Sequence, residues 1–264
     1  MPHTYECPMR WADMDLLGHV NNVTYLDYLA EARLHVFPGL AAGRAVVASH
    51  RVAFMAPLVF HRQPVLVDTW VSATGDEEVT LEQEVYDESE AGRTVYLRAS
   101  TRLAHRLDAS EDEIAASIRG RAHEWGPVAH LPSPTRHSCP VKVRLSDTGE
   151  GGLASDTVHF EYFQEARIQY LMDLHPRGEA WSHHVVARTD VHFEAPVTLR
   201  EAPYAVHSWI GHLGTRSFTI QAELRDGDRV LASSSVVMVT FDMDTQRSTE
   251  MASSQRARLE AELA

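Results

Sequence analysis

An internal repeat constrains this chain more than any other feature. Residues Arg10–Arg33 align without a gap on Arg144–Arg167, with identities at Arg10/Arg144, Asp13/Asp147, Gly18/Gly152, Tyr28/Tyr162, Glu31/Glu165, Ala32/Ala166 and Arg33/Arg167. A second block follows in the same order: Val52-Ala-Phe-Met-Ala-Pro57 aligns on Val191-His-Phe-Glu-Ala-Pro196, and Trp70 on Trp209. Two ordered blocks make chance similarity improbable, so the 264 residues read as two copies of one unit, each long enough for its own core.

Each copy has the same element pattern. A short strand (Tyr5–Trp11; Val141–Leu145) leads through a Gly-containing loop into a helix, Asn22–Phe37 and Asp156–Leu174. Apolar residues recur in both helices at about 3.6-residue spacing, and Asn22 and Asp156 suit N-cap positions. Four strands follow in each copy: Val46–Met55, Val65–Thr74, Val79–Tyr86 and Arg93–His105, then Val185–Glu194, Tyr204–His212, Ser217–Arg225 and Arg229–Asp242. Alternation is clear in Leu81–Val85 and Phe218–Leu224, and Asp226-Gly-Asp fits a hairpin turn. This predicts an α+β fold in which an antiparallel sheet wraps a long helix, twice over. The expected organisation is unit one at 1–108, a linker with a short helix (Ser110–Arg121) at 109–140, unit two at 141–244 and a polar, frayed tail at 245–264. The two sheets are expected to join edge to edge, which removes two exposed edges.

Composition excludes several functions. A formal net charge of −13 repels polyphosphate backbones, so no nucleic-acid partner is expected. No apolar run approaches the roughly 18 residues of a membrane span. Met1–Arg10 lacks a signal-peptide core, and two cysteines are too few for a disulfide framework, so a cytoplasmic protein is expected. His183-His184 and His137-Ser-Cys139 lack the further ligands of a metal site. No nucleophile elbow, Walker motif or dinucleotide fingerprint occurs, so neither metal nor cofactor is expected.

The informative segment is Arg10-Trp-Ala-Asp-Met-Asp-Leu-Leu-Gly-His-Val-Asn-Asn-Val-Thr-Tyr25. It sets a carboxylate, Asp15, in a loop just before a helix N-terminus. Free backbone N–H groups there can polarise a carbonyl, and a nearby carboxylate can attack an acyl carbon or activate water. Acyl transfer needs little more.

The pattern D-x-D-x-x-G-H-V-N-N-x-x-Y, carried by Asp13, Asp15, Gly18, His19, Val20, Asn21, Asn22 and Tyr25, resembles the 4-hydroxybenzoyl-CoA thioesterase-like branch of the hotdog superfamily. The strand bearing Arg51, Phe54 and Pro57 is similar to that family too. The resemblance implies a tandem hotdog hydrolysing acyl-CoA or acyl-carrier-protein thioesters to acid and thiol. It makes Asp15 the catalytic carboxylate and the Asn22 N–H the carbonyl-polarising donor. His19 and Asn21 would orient water or the carboxylate, Gly18 would shape the loop, and Tyr25 would line the acyl pocket. Sites in this fold lie between paired units, so Thr215 and Ser217 are expected as substrate-binding residues from the second copy. Asp13 and the Glu31/Arg33 and Glu165/Arg167 pairs, kept in both copies, are expected to be structural, Asp13 pairing with Arg10 or Arg33. At the corresponding positions of copy two stand Gly149, Leu153, Ser155 and His159, so its site is expected to be degenerate. The rival readings are a non-catalytic acyl-thioester-binding module, a hotdog hydratase or dehydratase, and an assembly protein without ligand. The double unit is open to further homo-oligomerisation.

Overall fold

The first strand, β1 (His3–Cys7), ends where Pro8 removes a backbone donor, so it stops well short of Trp11. Trp11–Asp13 is instead a single 3-10 turn. The computed structural model describes residues 1–38, 46–104, 108–128, 137–175, 181–242, 244–245 and 247–263. They fall into two units, Met1–Gly126 and Pro127–Ala264.

In the first unit, β1 is followed by α1 (Thr24–Val36), β2 (Val46–Phe54), β3 (Val65–Thr74), β4 (Glu78–Ser89) and β5 (Gly92–Ala104). The strands form an antiparallel sheet in the order β1-β3-β4-β5-β2. Helix α1 packs on β1 and β3 and buries Tyr25, Leu26, Tyr28, Leu29, Ala32 and Val36, a stripe at helical spacing. Gln83 Nε2 donates to the Leu29 carbonyl at 3.0 Å, tying the helix to the middle of the sheet.

The second unit repeats this plan with β6 (His137–Val141), α3 (Asp156–Leu174), β7 (His183–Phe193), β8 (Tyr204–Leu213), β9 (Ser217–Asp226) and β10 (Arg229–Asp242). The strand order is β7-β10-β9-β8-β6. Its first strand lies earlier than the sequence pattern suggested. Pro140 sits within β6, which pairs only with β8 in this unit, a place where a missing donor is tolerated. The hairpin expected at Asp226-Gly-Asp joins β9 to β10, with Gly227 at φ 59°. Register confirms the internal alignment: Trp70 lies opposite Glu82, and Trp209 opposite Gln221.

Both expected N-caps shift by a residue. Helix α3 is capped by Ser155, whose Oγ accepts from the Val158 N–H, and Asp156 is its first helical residue. Helix α1 starts at Thr24, and the Asn21 side chain accepts from the Val23 N–H at 3.3 Å.

A third repeated block was hidden in the sequence. Helix α2 (Ala109–Ser117), capped by Asp108, packs on β3, and Ala115 and Ile118 enter a core with Val36, Phe37, Val71 and Leu81. Beyond it Arg119 forms a parallel bridge to Val71. In the second unit the polar tail does the same. Helix α4 (Ser253–Ala261) packs on β8, and Leu263 bridges in parallel to Ile210, the counterpart of Val71. A two-residue strand, β11 (Arg247–Ser248), pairs with β10 just before it. The tail is therefore not frayed: Leu259 and Gln255 are fully buried, and Tyr170 Oη donates to Glu262 at 3.0 Å. Residues 129–136 of the expected linker lie outside the described residues. Truncation of a buried leucine leaves a cavity, so Leu259→Ala is expected to cost about 2–5 kcal/mol, read as a lowered denaturation midpoint. A cost near zero would mean that the tail does not pack as described.

Candidate active site

The loop between β1 and α1 is a miniature hairpin. Met14 bridges to Val20, the Asp15 N–H donates to His19 O at 2.7 Å, and the Gly18 N–H donates to Asp15 O at 3.1 Å. Gly18 has φ 75° at the turn, a conformation in which a side chain is strained although nothing would touch its Cβ. The loop is fastened on two sides. The Asn21 N–H donates to Asp13 O, and the Val20 N–H donates to Leu58 O, both at 2.8 Å, while His19 bridges to Val59.

Asp15 sits half-buried at the base of this hairpin. Its Oδ1 accepts from the Leu17 N–H at 2.8 Å and from the His19 N–H at 3.3 Å. Its Oδ2 has no hydrogen-bond partner among the described residues, so one oxygen holds the loop and the other is unengaged. At the helix end, the Thr24 N–H closes a turn on Asn21 O at 3.0 Å and the Val23 N–H is taken by the Asn21 side chain. The Asn22 N–H is unpartnered among the described residues. Asn21 thus serves as a cap, and Asn22 presents the free donor.

Tyr25 is buried, with its ring against Tyr28 and Phe54. Burial drives its phenol well above the ordinary range, a backbone hydrogen bond from Leu58 pulls it back, and the nearby Tyr96 and Asp15 push it up again. Exposed apolar side chains surround the loop: Leu16, Leu17, Val59 and Phe60. Thr215 and Ser217 belong to the second unit, in the turn between β8 and β9, where the Gly214 N–H donates to Ser217 O at 2.7 Å.

Asp13 is structural in both copies, though not through an arginine side chain. Its Oδ2 accepts from the Arg10 backbone N–H at 2.7 Å and from Tyr28 Oη at 2.5 Å. Asp147 repeats both bonds, from the Arg144 N–H and Tyr162 Oη, at 2.8 Å each. Glu31 and Glu165 are exposed whereas Arg33 and Arg167 are buried; two residues apart on a helix, they point to opposite sides. Neither cysteine is a nucleophile candidate. Both are buried, and desolvation pushes the Cys7 thiol up to about 12 and raises that of Cys139.

The second copy keeps the backbone bonds of this loop but not its polar side chains. The Gly149 N–H donates to Leu153 O, the Ala154 N–H to Val197 O and the Ser155 N–H to Asp147 O, bond for bond as in copy one. Yet Gly149 has no side chain and Leu153 is apolar. His159 is buried, with its ring nitrogen on the Ser155 carbonyl at 2.7 Å.

The chain matches the model of the thioesterase-like superfamily over residues 9–116 and again over 143–259. It belongs to that superfamily. Both copies of the thioesterase-like unit are thus covered, including most of α2 and of α4. No curated protein sequence matches the chain. Three solved structures are similar over nearly the whole length. A protein of Lactobacillus plantarum, provisionally assigned as an oleoyl thioesterase, superposes with a TM-score of 0.72 at 12% identity, over 92% of this chain and 97% of that one. The 12:0-ACP thioesterase of Umbellularia californica gives 0.68 at 11%, over 91% and 97%. An acyl-ACP thioesterase of Bacteroides thetaiotaomicron gives 0.65 at 12%, over 89% and 97%. At such identities the likeness is one of fold, and the fold is a tandem hotdog. The superfamily's chemistry is acyl thioester hydrolysis. Among the described residues no helix is long and apolar enough to cross a membrane.

Sequence reading missed a polar group beside this loop. His61, Asp87 and Tyr96 are joined by hydrogen bonds. Carrying the offset of the second block forward along the sheet would have paired two of them with copy two, since His61 aligns on Arg200 and Asp87 on Asp226.

Proposed function

We propose that this thioester hydrolase carries out its reaction with Asp15 as general base and the Asn22 N–H as the donor to the thioester carbonyl. The observation that carries the reading is the division of labour at Asp15. Oδ1 is spent on two loop N–H groups, while Oδ2 is free in the loop that leads into a helix preceded by the unpaired Asn22 N–H. Asp15 Oδ2 takes a proton from water as the water oxygen bonds to the acyl carbon. The Asn22 N–H and the helix dipole stabilise the oxyanion. Collapse of the tetrahedral intermediate breaks the C–S bond; the thiolate takes up the proton and the acid departs. His19 orients the water, and Tyr25 lines the acyl site.

Acyl-CoA and acyl-carrier-protein thioesters both fit this chemistry. Two of the similar structures are acyl-carrier-protein thioesterases, which favours the carrier protein for this chain. The test is thiol release across acyl groups of increasing length, each offered on CoA and on carrier protein. Turnover of at least one series is expected; binding without turnover of any would leave the non-catalytic reading standing.

In our reading the second copy is a scaffold, because Gly149, Leu153 and the engaged His159 offer neither base nor free donor partner. Titration with a tight, non-hydrolysable acyl-thioester analogue is expected to give a stoichiometry near one per chain. Restoring Gly149→Asp with Leu153→His is not expected to double the activity. A stoichiometry of two, with hydrolysis surviving in Asp15→Ala, would show working chemistry in the second copy.

A further inference from the structure

The segment after β2 holds the catalytic loop, since Leu58 O accepts from the Val20 N–H and Val59 bridges to His19. What holds that segment is a polar anchor that the chemistry above does not use. His61 Nε2 lies 2.8 Å from Asp87 Oδ2, and Tyr96 Oη donates to the same oxygen at 3.0 Å. Asp87 stands near the end of β4 and Tyr96 on β5, so the anchor fastens the segment to the sheet.

The second copy provides an internal comparison. Leu66 pairs with Tyr86 and Ala205 with Arg225, so Asp87 and Asp226, the next residues, hold equivalent sheet positions. Thr198 bridges to Leu153 as Val59 does to His19. Two residues on, Arg200 stands in place of His61, and its Nη1 donates to Asp226 Oδ2 at 2.8 Å. Leu231 O accepts the N–H groups of Glu194 and Ala195 as Tyr96 O accepts those of Met55 and Ala56. Leu231 thus stands where Tyr96 does and carries no hydroxyl. A side-chain tie from this position to the aspartate belongs to the unit's construction. The first copy, which bears Asp15, makes it with an imidazole and adds a phenol.

We propose that His61 is a positioning residue for thioester hydrolysis: through Asp87 and Tyr96 it fixes the Leu58–Val59 backbone, and with it the Asp15 loop. This rests on the reading of Asp15 given above. A single part-buried hydrogen bond contributes only modestly to stability. Its value here is geometric, because a displacement of about 1 Å between a base and the carbonyl donor can cost on the order of 100-fold in rate. Loss of the anchor should therefore register in kcat, while KM, set by the acyl site, stays nearly unchanged.

The experiment compares His61→Ala, His61→Arg, Tyr96→Phe and Arg200→Ala in the full chain, with Asp15→Asn alongside, measuring kcat, KM and thermal midpoint on the best acyl thioester. His61→Ala is expected to lower kcat about tenfold or more, with KM within about threefold. His61→Arg should restore kcat to within about threefold of wild type, since arginine makes this tie in the second copy. Tyr96→Phe, which keeps the ring and removes one hydrogen bond, should lower kcat severalfold and serves as the deciding variant if His61→Ala does not fold. Arg200→Ala should leave kcat unchanged. Wild-type kcat in folded His61→Ala or Tyr96→Phe overturns the proposal, as does failure of folded His61→Arg to rescue. Wild-type turnover in Asp15→Asn would instead remove the catalytic reading on which it rests. Inactive Asp15→Asn beside fully active His61→Ala would sink the anchor alone.

Discussion

Replacing Asp15 with asparagine is expected to lower kcat by about 100-fold or more, the scale of losing a positioned general base, while the fold is retained. The choice of asparagine follows from the structure. Asp15 is no idle exposed carboxylate, because Oδ1 accepts two backbone N–H groups that shape the loop. An amide oxygen can keep both bonds, so Asp15→Asn removes the base and little else. Asp15→Ala removes the acceptor as well, and an additional cost of about 1 kcal/mol is expected from the lost hydrogen bonds. The loop should survive even so, since Gly149 sits at the equivalent point of an equally closed hairpin. The two variants should therefore share a kinetic defect and differ in thermal midpoint. Thiol release under saturating substrate, with denaturation curves for both, checks this. Near-wild-type kcat in Asp15→Asn would eliminate the carboxylate as base.

What was legible in the sequence was whatever depended on identity at a fixed offset. The long helices and the loop before α1 followed from residues repeated in both copies, the eight later strands also from alternation, and they lie where expected to within a few residues. The equivalence of elements whose residues had diverged was hidden. Helices α2 and α4 occupy equivalent places; both read as helical, but as a linker helix and a frayed tail rather than as one repeated element. Each contributes only a few buried side chains, such as Ala115 and Ile118 or Met251 and Leu259, too few for a periodic signal. The same limit applied at the site. Motif matching found Asp15 and Asn22 but could not show that Oδ1 is committed and Oδ2 is not. It expected Asp13 to pair with an arginine, whereas the partners are a backbone N–H and a tyrosine hydroxyl fifteen residues away. The His61–Asp87–Tyr96 anchor joins residues brought together only by strand register.

The reading of Asn22 makes an unusual demand, since the group it invokes belongs to the backbone and no ordinary side-chain change removes it. Proline does. Residues 21–24 form a turn closed by the Thr24 N–H on Asn21 O, with Asn22 at the second position. Val23 follows with φ −75° and ψ −32°. Proline is favoured at the second position of such a turn because its ring fixes φ near the value required. The Asn22 N–H makes no hydrogen bond that proline would break, so Asn22→Pro should fold. It should lose about 10²- to 10³-fold in kcat, the effect of deleting one oxyanion donor, equivalent to about 2.7–4 kcal/mol. Asn22→Ala keeps the N–H and discards the side chain, so its kcat should stay within about threefold of wild type. The contrast between the two variants carries the argument, because each controls for the other. An equal loss in both would assign the effect to the asparagine side chain. Full activity in a folded Asn22→Pro enzyme would show that the thioester carbonyl is polarised by some other group.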